Sequence, residues 1–121
     1  VRISDLVSLA YSQAQKSGFH DNDEKVTFGD RIALIHSEAS EALEEYRQTQ
    51  SFAELWEDQY SGNICTRPEA GRKPVGVPSE LADIVIRVAD LAGTHGIDLE
   101  KAIIDKLDYN KSRPYKHGKA F

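Results

Sequence analysis

Cysteine is almost missing from this 121-residue chain: Cys65 stands alone. No intramolecular disulfide can form, and a reducing compartment fits. Nothing beside Cys65 supplies the base that a nucleophilic thiol needs. Long apolar runs are missing too. The stretches 32–35 and 84–86 are far too short to span a bilayer, and no N-terminal stretch has the order of a signal peptide. The expected location is the cytoplasm, with no membrane partner. Positive charge is outnumbered: the net charge of −5 argues against a general binder of nucleic acid polymers. A local basic cluster at 106–119 is the exception. None of His20, His36, His95 or His117 follows a Glu by three residues, which removes the Glu-x-x-His di-iron bundle. One cysteine and scattered histidines speak against zinc.

What is present is helical patterning. The chain is 40% hydrophobic and 29% charged, ordinary for a folded domain, and its length predicts one domain over 1–121. Ile3, Leu6, Val7, Ala10, Tyr11 and Ala14 have helical spacing over 3–16, with Ser4 or Asp5 as cap and Gly18 as stop. A loop over 19–26 follows. A second helix opens near Thr27 or Gly29 and runs to about Gln48, on the stripe Ile32, Ile35, Ala39, Leu43 and Tyr46. A short helical piece is expected over 52–59, and the Gly, Pro, Arg and Lys of 60–78 read as a long loop. Ser79 is the expected cap of a third helix to about His95, buried through Leu81, Ile84, Val85, Val88, Leu91 and Ala92. Asp98 caps a fourth, which fades before Pro114. No strand pattern stands out, so the expected fold is all-α, with four main helices in a bundle.

Two acidic pairs lie on these helices. Glu38 and Glu41, then Glu80 and Asp83, are each three residues apart and project from one helix face. At about 100° per residue, Glu38, Glu41 and Glu45 fall within roughly 60° of one another, beside the apolar stripe. Glu80, Asp83 and Arg87 hold the same offset in the third helix. Glutamates so spaced are commonly a solvated helix face. Asp83, however, stands among Ile84, Val85 and Ile86, where an unpartnered Asp is rare. Four gathered carboxylates repel unless a cation joins them. All-oxygen ligands suit Mg²⁺ or, as a substitute, Mn²⁺, with phosphate oxygens completing the shell.

Lys106, Asn110 and Arg113 are spaced four and three apart, so they share one helical face if the helix reaches them. That face reads as a phosphate-binding surface, or as a cationic helix end complementing the dipole. The ordered set Glu38-x-x-Glu41, Glu80-x-x-Asp83, Lys106-x-x-x-Asn110-x-x-Arg113 resembles the MazG-like all-α nucleotide pyrophosphohydrolases. Lys73-Pro-Val-Gly-Val-Pro, Gly96-Ile-Asp-Leu-Glu and Arg113-Pro-Tyr-Lys-His-Gly-Lys119 extend the likeness over about residues 30–119. The resemblance implies Mg²⁺-dependent hydrolysis of a nucleoside triphosphate to the monophosphate and pyrophosphate, in a homodimer or homotetramer. It implies Glu38, Glu41, Glu80 and Asp83 as metal ligands and catalytic carboxylates, with Lys106, Asn110 and Arg113 on the phosphates. Lys73 adds charge from the loop, and Trp56 and His36 are candidates for base contacts. The stretch between Glu41 and Glu80 is longer than usual for that family, which points to a non-standard base pocket. Two rivals remain: a helical interaction module with an acidic face, and a silent nucleotide sensor that keeps the metal site.

Overall fold

The computed structural model describes residues 2–120, the side chain of His117 excepted. The His117 side chain of the C-terminal motif therefore lies outside the described residues. The helices start where local chemistry satisfies their first amides. Thr27 closes a capping box at the head of α2 (Phe28–Thr49): its Oγ1 accepts from the Asp30 amide at 3.0 Å, and its own amide donates to Asp30 at 2.9 Å. Asp98 caps α4 (Leu99–Lys111) by accepting from the Lys101 amide. The start of α1 (Ile3–Lys16) differs from expectation, because neither Ser4 nor Asp5 caps it. Arg2 occupies the cap position without a side-chain bond, and the Ser4 amide donates instead to Glu100 of α4.

The all-α expectation is corrected by a three-stranded antiparallel sheet in order β2-β1-β3. The segment expected as a short helix is β1 (Leu55–Asp58), and the expected loop holds β2 (Ile64–Cys65) and β3 (Arg72–Val75). Trp56 pairs with Cys65 on one side and Pro74 on the other. Strands of two and four residues are too short for alternation to show. Pro74 is tolerated because β3 is an edge strand.

The third helix, α3 (Gly76–Thr94), also starts earlier than Ser79 suggests. Gly76 turns the chain out of β3 at φ +88, and a Cβ there would meet Leu55 at 3.3 Å. Ser79 donates its hydroxyl to the Pro74 carbonyl rather than capping.

Helix α3 packs against both α1 and α2. The apolar core is small: Ala10, Val77, Ala89, Leu91 and Ala92. Small side chains let the helices approach closely, and a Cβ at Gly93 would stand 2.7 Å from Tyr11 Cβ. The expected buried face of α3 is only partly buried, since Leu81 and Val85 are each 51% exposed. Among the described residues, no helix is long and apolar enough to cross a membrane.

Candidate metal centre and adjoining cavity

Packing α2 on α3 turns two local spacings into one cluster. A carboxylate oxygen from each of Glu38, Glu41 and Glu80 lies within 4.8 Å of the others. Glu38 is buried, Glu80 half-buried and Glu41 exposed. Arg87 donates from Nε to Glu38 Oε1 at 2.7 Å. Burial alone would raise the Glu38 pKa, but the guanidinium outweighs it and holds the carboxyl below its ordinary value.

The other carboxyls are pushed the opposite way. Glu38 raises the pKa of Glu41. Burial raises Glu80 to about 7, with Asp83, Glu41, Glu38 and Glu45 adding repulsion. Asp83 is exposed, yet partial desolvation and Glu38 raise its pKa, against the pull of Arg87 and Lys73. Glu80 Oε2 is buried without a hydrogen-bond partner among the described residues. An orphaned carboxylate oxygen beside two further carboxyls fits a hard divalent cation, which would satisfy it and relieve the crowding.

Asp83 stands at the margin of this cluster rather than within its closest set of oxygens. Lys73, expected in a loop, lies instead in β3, and its charge reaches Asp83. Lys106 and Arg113 lie elsewhere. Both sit over the Tyr109 ring, at 5.6 and 5.5 Å. Lys106 is on α4, which docks principally on α1. That helix ends at Lys111 and leaves Arg113 beyond it, so the expected shared helical face does not reach Arg113. Asn110 has a buried Oδ1 with no partner among the described residues. Trp56 is half-buried on β1, with its Nε1 likewise unpartnered. His36 is exposed on α2. Of the sequence candidates, then, the structure gathers Glu38, Glu41 and Glu80, with Asp83 and Lys73 alongside.

A cavity of about 530 Å³ adjoins the cluster and takes Glu38, Asp83 and Arg87 into its lining. Its walls come from α1, α2, α3 and the connection between α1 and α2. Trp56 and His36 do not line it. Two of its lining residues, Asp90 and Arg31, belong to a network that sequence reading missed. His20 reaches Asp90 Oδ1 through Nε2 at 2.8 Å and Asp23 through Nδ1 at 2.9 Å, with its side chain only 6% exposed. Arg31 completes it by donating to Asp23. A neutral imidazole donates through one nitrogen only, so two carboxylates favour the imidazolium. Burial works against that charge, but the bonds to Asp90 and Asp23 prevail and raise the His20 pKa. The available signal was Asp90, a second carboxylate inside an apolar helix, seven residues after Asp83.

Comparison with protein-family models, curated proteins and solved structures gives no match to this chain.

Proposed function

We propose that this chain is a MazG-like nucleoside triphosphate pyrophosphohydrolase, with Mg²⁺ or Mn²⁺ held by Glu38, Glu41 and Glu80 and with Asp83 beside them. The observation that carries the reading is the convergence of three carboxylates, one with an orphaned oxygen, of which Glu38 also lines a nucleoside-sized cavity. The bound ion would supply Lewis-acid charge where phosphate charge accumulates. The chain's own groups do the rest. Lys73 meets the phosphates from β3, and Lys106 and Asn110 on α4, with Arg113 just beyond its end, offer a second phosphate surface. Water attacks the α-phosphorus as the bond to the bridging oxygen breaks. Pyrophosphate leaves, and a carboxylate of the cluster takes the proton from the water.

Exposed apolar side chains on three helices, Leu43, Leu81, Val85, Ile104 and Leu107 among them, support a homodimer or homotetramer. A role in cytoplasmic nucleotide-pool cleaning follows from this activity. The test is incubation with standard and modified dNTPs plus Mg²⁺, measuring pyrophosphate apart from phosphate. Turnover should be lost in Glu41→Gln with the helical CD signal intact. Absence of turnover by the wild type across a broad panel would leave the silent sensor as the better reading.

A further inference from the structure

We propose that the cavity between α1, α2 and α3 reads the edge of a guanine base, with Asp90 as the acceptor and Arg31 as the donor. The inference rests on the nucleotide reading of the neighbouring cluster and adds the base to it. Glu38 and Asp83 belong to both the cavity wall and the acidic neighbourhood, so a nucleotide with its phosphates at the carboxylates can place its base in this space. The volume of about 530 Å³ lies in the range of small-molecule sites. Phe19, Leu34 and Ile86 supply apolar surface for the faces of a flat ring, and Gln13 adds an amide able to donate or accept.

The polar groups decide which ring. His20 occupies Asp90 Oδ1, and among the described residues nothing bonds Oδ2, so that oxygen can accept from a ligand. Arg31 uses one Nη on Asp23 and keeps further N–H donors. Both side chains are largely buried, Asp90 at 18% and Arg31 at 13% exposed, and both are held by partners before any ligand arrives. Guanine presents two adjacent donors, N1–H and the 2-amino group, next to the O6 acceptor. Asp90 can take the two donors on Oδ2 and on the remaining lone pair of Oδ1, and the Arg31 guanidinium can donate to O6. Adenine, cytosine and thymine each lack that pair of donors beside an acceptor.

Equilibrium binding of dGTP, dITP and dATP to the intact protein, with Ca²⁺ in place of Mg²⁺, tests the assignment without requiring turnover. Inosine keeps O6 and N1–H but lacks the 2-amino group. Wild-type protein should bind dGTP roughly tenfold or more tightly than dITP, since a site built for a hydrogen bond rejects the analogue lacking it. Binding of dATP should be weaker still. Asp90→Asn should narrow the gap between dGTP and dITP, with folding checked by CD. Ile86→Trp, which fills the cavity, should weaken dGTP binding and leave Mn²⁺ binding in place. Equal affinity for all three nucleotides, or no binding of any, would overturn the guanine assignment. Selective dGTP binding without pyrophosphate release would support the pocket and count against the hydrolase reading.

Discussion

Arg87 and Glu38 form an ion pair across the α2–α3 interface, with Nε 2.7 Å from Oε1. One carboxylate of the candidate metal centre is therefore already neutralised from within the chain. Any cation entering the cluster must share Glu38 with this guanidinium.

Removing that competitor has two consequences of opposite sign. Arg87→Ala should destabilise the protein in EDTA by about 1–2 kcal/mol, since a buried carboxylate loses its partner. The loss stays below that of a fully buried pair because the Arg87 side chain is 40% exposed. Added Mg²⁺ should then raise Tm more in the variant than in wild type. Equal Mg²⁺-induced shifts would show that Arg87 and the cation do not compete.

Glu80 contributes to the pH dependence of the metal-free protein. Its folded-state pKa of about 7 lies above the ordinary value of 4.5. The folded state thus binds the proton more tightly. That contribution is full below about pH 4.5 and is lost as pH rises through about 7. Glu80→Gln should flatten this decline in EDTA and also abolish stabilisation by Mg²⁺. Thermal unfolding from pH 5 to 8, with and without Mg²⁺, reads both effects.

His20 contributes in the same direction. Its pKa is raised above 6.5 by Asp90 and Asp23 against burial. Its stabilisation is complete below pH 6.5 and fades as pH rises through the raised value. His20→Ala should cost about 2–3 kcal/mol at pH 5.5, the range for bonds to charged groups, and distinctly less at pH 9. Urea unfolding at the two pH values gives the comparison.

Close packing of α1 on α3 depends on Gly93. Gly93→Ala places a Cβ 2.7 Å from Tyr11 Cβ, so the helices must separate, at about 1–3 kcal/mol. Tyr11→Gly in the same background should recover part of that loss. A double-mutant cycle with no coupling between the two sites would contradict the contact.

The helices were legible in the sequence because their determinants are local: a cap at Thr27 or Asp98, and apolar residues at a period of 3.6. The i, i+3 spacing of the acids likewise placed Glu38 with Glu41, and Glu80 with Asp83, on single faces. Tertiary structure decided the remainder. Strands β1 to β3 are too short to carry a pattern and exist through their pairing, Trp56 with Cys65 and Pro74. Which carboxylates meet depends on how α2 crosses α3, and that crossing selects Glu38, Glu41 and Glu80 while Asp83 stands at the margin. His20 and Asp90 are 70 residues apart, a contact no periodicity can announce. Spacing along one helix follows from backbone geometry, whereas convergence between helices follows from packing, where small residues such as Ala89 and Gly93 set the approach.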